Sequence, residues 1–204
     1  MIHNRVGMKP QILGAKYDKI ARWWHERISF SGYGIKQIEK ALQFCTNREN
    51  ALDVGCGAGG RFVRKLQEQG FQITGLDVSQ EMIELARENH PNESFYVYDI
   101  CNWETEQKFD FILAWDSIFH LPFSMQETVV SKLCNLLAKN GILTYTFGDG
   151  YGEHTDEWHE EQFYYSSIGI NGNLSVLMKN EMMCKHLELD QFPENHIYVI
   201  AQKL

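Results

Sequence analysis

No run of apolar residues in the sequence approaches the roughly 20 needed to cross a bilayer, so a membrane-spanning helix is not expected. Basic charge is not in excess: 19 Lys and Arg stand against 27 Asp and Glu, a formal net charge of −8 at pH 7. That sign argues against a general binder of nucleic acid or of an anionic membrane surface, and no basic run provides a local exception. There is no Cys-x-x-Cys pair, and the five cysteines (Cys45, Cys56, Cys101, Cys134, Cys184) are odd in number. A disulfide framework and a structural zinc site are therefore not expected. Four of them sit in apolar surroundings and read as buried, reduced thiols. Cys56 lies inside a glycine turn, where it either fills a tight space or gains reactivity from a helix N-terminus. Met1 to Gly14 lacks the apolar core of a signal peptide, and the expected location is cytoplasmic. Internal repeats, low-complexity tracts and long linkers are also missing, so residues 1–204 read as one domain.

What the chain does have is an ordinary globular composition, 44% hydrophobic and 23% charged, and one dense cluster of glycine. Residues 51–60 read Ala-Leu-Asp-Val-Gly-Cys-Gly-Ala-Gly-Gly, an acid and a glycine group closing a short apolar run. Gly55, Gly57 and Gly59 have no Cβ, so a strand-to-helix turn here can take positive φ and let its backbone approach a ligand. A helix starting near Gly60 aims free N–H groups at the same place. Gly55, Gly57 and Gly60 also satisfy Gly-x-Gly-x-x-Gly, so the turn alone suits two cofactor classes.

Around this turn the pattern is α/β. Residues from Lys16 to about Phe44 read as two helices broken at Ser29–Gly34, with Tyr17, Trp23, Trp24 and Phe30 clustered on them. Short apolar runs at Ala51–Val54, Phe71–Leu76, Ser94–Tyr98, Phe109–Ala114 and Ile142–Phe147 read as strands alternating with amphipathic helices. Ser79 caps the helix carrying Met82, Ile83, Leu85 and Ala86. Ser124-Met-Gln-Glu127 reads as a capping box for the next, which Asn140-Gly141 ends. Residues 148–172 read as a loop on the acceptor side, followed by a helix from about Leu174 to Met183. Lys185–Leu189 and Ile197–Lys203 are too close for a helical crossover, so they form an antiparallel hairpin at the sheet edge.

Asp77, at the end of the second strand, can accept both hydroxyls of an adenosine ribose, which fits NAD and S-adenosylmethionine alike. Three features separate the two. Asp53 precedes the glycines where dinucleotide folds more often place an apolar residue, and Asp99 offers a carboxylate to an adenine amine. The closing antiparallel hairpin is unlike the second half of a dehydrogenase.

On these residues the chain resembles the class I, Rossmann-like S-adenosylmethionine-dependent methyltransferases, over about residues 16–204. Leu52-Asp-Val-Gly-Cys-Gly-Ala-Gly59 resembles the motif whose backbone holds the methionine part of the cofactor. Gly75-Leu-Asp77-Val78 resembles the ribose-binding acid with its adenine-packing neighbour, and Asp99-Ile100 the adenine-amine motif. The stretch Phe109 to Pro122, with Trp115, Asp116 and His120, looks like the motif that runs beneath the cofactor toward the methyl group. Tyr17-Asp-Lys-Ile-Ala-Arg-Trp-Trp24 resembles an N-terminal lid (residues 16–45) whose Tyr17 and Trp24 flank the cofactor. The resemblance implies a three-layer sandwich with a seven-stranded, mostly parallel sheet. It implies S-adenosyl-L-methionine as cofactor, S-adenosyl-L-homocysteine as product, and contacts from Asp53, Gly55 and Gly57.

The expected reaction is in-line methyl transfer to a small-molecule acceptor, by a monomer or homodimer that binds neither nucleic acid nor membrane. It needs alignment above all, and a general base only if the acceptor sheds a proton. His120 is the candidate base; a hydrogen bond to cofactor or backbone is its alternative role. Trp115 packs on the cofactor or lends it backbone, and Asp116 contacts the acceptor or caps the turn. His154, Trp158, Tyr164 and Tyr165 are candidates to line the acceptor pocket. His154 and His159 lie five apart among carboxylates, but no recognised ligand spacing is present and no metal is expected. A nicotinamide-dependent oxidoreductase and a non-catalytic cofactor-binding protein of the same fold are the alternatives. The acceptor itself is not written in the sequence.

Overall fold

A computed structural model describes residues 7–204 of the chain; the first six residues of the Met1–Gly14 segment lie outside the described residues. Two helices, α1 (Pro10–Ile28) and α2 (Ile35–Leu42), precede the alternating part. That part runs β1 (Asn50–Val54), α3 (Arg61–Glu68), β2 (Gln72–Asp77), α4 (Gln80–Asn89), β3 (Ser94–Val97) and β4 (Phe109–Ala114). Next come α5 (Gln126–Leu136), β5 (Leu137–Gly148), the pair β6 (Tyr151–Trp158) and β7 (Glu161–Ile168), α6 (Gly169–Lys179), β8 (Met182–Leu189) and β9 (His196–Lys203). No helix among the described residues is long and apolar enough to cross a membrane.

Seven strands form one sheet in the order β3-β2-β1-β4-β5-β9-β8. Neighbours from β3 to β5 pair in parallel, and β9 runs antiparallel to both β5 and β8. The expected edge hairpin is therefore present, inserted so that β9 is the internal, reversed strand. Apolar residues cover both faces. Val129, Val130, Leu133 and Leu177, on α5 and α6, pack against one side. Ile38, Val63, Leu66 and Ile83, on α2, α3 and α4, pack against the other. All six residues of β4 are buried, and five of them are apolar, the sixth being Asp110. Because the chain leaves β1 and β4 in opposite directions, a crevice opens at their carboxyl ends.

The structure corrects several local expectations. Ser79 does cap α4, its hydroxyl accepting from the Met82 N–H at 3.1 Å. The Ser124–Glu127 capping box is not formed: residues 123–125 make a 3-10 turn, and α5 starts after Met125 with no side-chain cap. Gln126 is instead buried, its amide donating to the Ile118 carbonyl and to the Ser166 carbonyl and hydroxyl. α5 ends at Leu136, before Asn140-Gly141, because Leu137 already pairs with Phe109; Asn140 (φ 65°) lies within β5. The last helix spans Gly169–Lys179 rather than Leu174–Met183. Asn180 closes it by donating to the Val176 carbonyl, and Met182 is claimed by its pairing with Lys203. Residues 148–172 are mostly no loop, since 151–168 form an antiparallel hairpin that turns at His159 and Glu160, both at positive φ. Cys45, Cys56 and Cys134 are buried, but Cys184 is exposed on β8. At Cys56 burial pushes the thiol well above its ordinary value, so no reactive thiolate is formed.

Candidate active site

The β1–α3 turn is built on glycines that must be glycines. Gly55, Gly57 and Gly59 take φ values of 75°, 52° and 63°, and a Cβ on Gly55 would stand 2.2 Å from the Ser117 Cβ. The turn is locked to β2, with the Gly55 and Cys56 N–H groups both donating to the Leu76 carbonyl. One Asp77 oxygen accepts from the Gly57 N–H at 2.9 Å, the other from the Ser79 N–H at 2.9 Å. Asp77 therefore ties the glycine turn to the start of α4. Burial raises its pKa, opposed by those backbone donors. Asp99, past the end of β3, accepts from the Cys101 N–H and the Asn102 amide.

These residues line a cleft, partly open to solvent, over the carboxyl ends of β1, β2 and β4. Of the expected cofactor residues, Tyr17, Trp24, Asp53, Gly55, Gly57, Asp77, Val78, Asp99, Ile100 and Trp115 all line it, with Asp116 and His120. Tyr17 and Trp24 reach over it from α1, their rings edge to face at 6.2 Å, and Trp24 Nε1 lies above Gly57. Two groups in its wall lack a hydrogen-bond partner among the described residues. Asp53 is 3% exposed, and no donor meets its carboxylate. Burial, with Asp77 nearby, pushes it up to about 7 against the pull of Arg61. Trp115, gripped by Phe62 and Tyr198, leaves its Nε1–H unpaired.

His120 is buried, and burial lowers its pKa to about 4. Its Nδ1 lies 2.8 Å from the Tyr164 carbonyl, which only accepts, so Nδ1 carries the proton and Nε2 accepts. Nε2 meets the Tyr17 hydroxyl at 2.8 Å. The imidazole is neutral, with both nitrogens engaged. Its lone pair is occupied by a residue of the covering helix.

The acceptor-pocket candidates divide. His154 and Tyr165 stack at 5.3 Å and line a second cavity beneath β6 and β7, away from the glycine turn. Trp158 packs edge-on against Trp24 and beside Tyr17, behind the cleft wall. Tyr164 donates its hydroxyl to Glu153 and accepts from the Phe123 N–H. No group of three or more His, Cys, Asp or Glu able to hold a metal ion occurs among the described residues.

Residues not anticipated also meet here. Arg61, the only Lys or Arg among the described residues lining the cleft, donates to the Tyr33 and Ile28 carbonyls. His196, at the start of β9, lies 2.9 Å from Asp116. Arg61 follows the glycine turn directly, a signal that could have been used. His196 has no local signal, since its partner is 80 residues away.

The methyltransferase domain family matches residues 51–141, the segment holding the glycine turn, Asp77, Asp99, Trp115 and His120. The chain has the Rossmann-like methyltransferase fold, and its central segment matches that family. Among curated proteins it is similar to a trans-aconitate 2-methyltransferase of Escherichia coli, 36% identical over 53% of this chain and 43% of that protein. It is also similar to phosphoethanolamine N-methyltransferase 2 of Caenorhabditis elegans, 29% identical over 64% of this chain and 31% of that protein. The chain thus spans less than half the length of these relatives. Among solved structures, magnesium protoporphyrin IX methyltransferase of Synechocystis with bound S-adenosylhomocysteine shares the methyltransferase fold at a TM-score of 0.73. The match covers 96% of this chain and 100% of that one at 15% identity. Outside the matched segment, α1 closes over the cleft, and the β6–β7 hairpin packs behind α1 through Trp158.

Proposed function

We propose that this domain transfers a methyl group from S-adenosylmethionine to a small-molecule acceptor. The observation that carries the reading is the buried, unpartnered Asp53 carboxylate beside the left-handed glycine turn, with Asp77 and Asp99 further along the same cleft. A cofactor with an ammonium group at one end and an adenosine at the other fits that order of acids. Asp53 and the turn would hold the amino-acid end, Asp77 the ribose hydroxyls, and Asp99 with Val78 and Ile100 the adenine. When bound, the cofactor supplies an electrophilic methyl group on a sulfonium, displaced in line by the acceptor.

The chain's own residues then have defined work. Tyr17 and Trp24 cover the cleft and exclude water, and the Tyr17 hydroxyl is fixed by the neutral His120. His120 acts as a positioning group, since its lone pair is already taken. Asp116, Trp115 and Arg61 face the remaining space, where an acceptor would be aligned; alignment alone supplies much of the rate in such a transfer. The covered cleft and the net charge of −8 support a small acceptor over a nucleic acid.

Calorimetry with S-adenosylhomocysteine and with NAD tests the reading. Binding of S-adenosylhomocysteine with weaker or no binding of NAD is expected. Binding of NAD alone would overturn it.

A further inference from the structure

Asp116 follows β4 at a φ of 49°, a left-handed conformation that aspartate tolerates but seldom adopts. Its side chain is held from one side only. Oδ1 accepts from His196 Nε2 at 2.9 Å and from the Thr146 hydroxyl at 3.2 Å, while the Asp116 N–H donates to that hydroxyl at 2.8 Å. Neither donor reaches Oδ2, the Tyr33 hydroxyl is a further polar neighbour of the carboxylate, and Asp116 lines the cleft.

Behind it, His196 Nδ1 lies 2.6 Å from Asp190 Oδ1, in the loop joining β8 to β9. Carboxylates only accept, so both ring nitrogens carry protons and the imidazole is a cation between two anions. The Gln191 amide nitrogen lies 2.8 Å from the same Nδ1 and donates to the Tyr33 hydroxyl at 2.8 Å. Asp190 is secured in turn by the Gln37 amide of α2 at 3.0 Å. The rings of Tyr33 and Trp115 flank the imidazole. The charged groups facing it are Asp116 and Asp190, and they hold its pKa up against the burial that would lower it.

We propose that His196 is a positioning residue that clamps Oδ1 of Asp116 and so presents Oδ2 to the acceptor, which is an amine or hydroxyl carrying a hydrogen to donate. A free carboxylate oxygen orients an N–H or O–H donor and repels a carboxylate. Arg61, the one Lys or Arg among the described residues of the cleft wall, is already committed to two backbone carbonyls, so among those residues an acidic acceptor finds no free cation. The inference rests on the methyl-transfer reading and adds to it the chemical class of the acceptor.

The probe is the aminoalkyl analogue of the cofactor, in which C–NH3+ replaces S–CH3, so that an ammonium sits where acceptor and methyl meet. Its affinity is measured against that of S-adenosylhomocysteine in wild type, Asp116→Asn, His196→Ala and His196→Gln. Asp116→Asn should lower the preference for the analogue about tenfold, as loss of a charge-assisted hydrogen bond does. His196→Ala should lower it several-fold with S-adenosylhomocysteine affinity unchanged, and His196→Gln, which restores a donor to Oδ1, should recover most of it. A His196→Ala preference equal to wild type, or one that His196→Gln does not improve, would overturn the proposal. Should His196→Ala fail to fold, NMR titration of the wild-type imidazole decides: a doubly protonated His196 at pH 7, lost in Asp116→Asn, is expected, and a neutral one would overturn it. Wild-type protein that binds neither compound would instead sink the methyl-transfer reading.

Discussion

Asp53 carries a charge in a place that opposes it, and the sign of its pKa shift makes a testable statement. Its ordinary value is 3.8 and burial raises it to about 7 in the folded protein, so between these limits the native state holds a proton that the unfolded chain has released. Its contribution to stability is therefore complete below the lower value and lost as pH rises through the upper one. Asp53→Asn should stabilise the ligand-free protein at pH 8, measured as a raised Tm. An ammonium group in the cleft pairs with the ionised form only. Binding of S-adenosylhomocysteine should accordingly weaken about tenfold from pH 8 to pH 6 and release protons below pH 7, both read by calorimetry. Equal affinity at the two pH values in wild type would remove Asp53 from the amino-acid end of the site. At this scale the sequence was legible in that Asp53, Asp77 and Asp99, each in or just past a strand, line one cleft. It was not legible at His196, whose partner Asp116 is brought to it only by the pairing of β5 with β9. Nor could residue type reveal that the His120 lone pair is spent on Tyr17.

The covering element is α1, and what fastens it is the β6–β7 hairpin. Lys16 reaches Glu161 at 2.6 Å, Lys19 bonds the other oxygen of the same carboxylate, and Trp23 packs edge-on against His159 at 4.3 Å. Glu161 sits at the start of β7, just past the turn, so one residue ties the covering helix to the hairpin. A solvent-facing pair contributes little to stability and is screened by salt, but it can still govern how often the helix lifts. Glu161→Gln should raise the dissociation rate of S-adenosylhomocysteine a few-fold in stopped-flow measurements at low salt, and the difference should shrink at high salt. An unchanged rate at low salt would mean that ligand leaves by another route. The hairpin was the element hardest to read from sequence. Five of the eight residues of β6 are exposed, so no alternation of apolar and polar marks it, and its turn uses His159 and Glu160 in place of glycine or asparagine. The sheet strands were legible for the opposite reason. Burial on both faces makes the central strands β1, β4 and β5 mostly apolar, and the helices between them keep a 3.6-residue period.

For the molecule as a whole, ligand and fold are coupled through Asp77. Its two oxygens accept from Gly57 and Ser79, so the carboxylate assigned to the ribose also staples the glycine turn to the start of α4. Saturating ligand should stabilise the native state by mass action, about 2.7 kcal/mol at a hundred times Kd, or a Tm rise of roughly 5–10 °C for a chain of this size. The two roles of Asp77 then separate by substitution. Asp77→Asn keeps one carbonyl oxygen to accept from the backbone but loses the charge that the ribose hydroxyls favour. It should retain most of the ligand-free Tm and lose much of the shift caused by S-adenosylhomocysteine. Asp77→Ala leaves two backbone N–H groups without their acceptor, at about 1–3 kcal/mol for each that stays buried, so the ligand-free Tm should fall as well. Scanning calorimetry of the three proteins with and without ligand reads both effects at once. A ligand-induced shift preserved in Asp77→Ala would place the ribose elsewhere in the cleft. A ligand-free Tm equal to wild type would show that water takes over the two backbone donors.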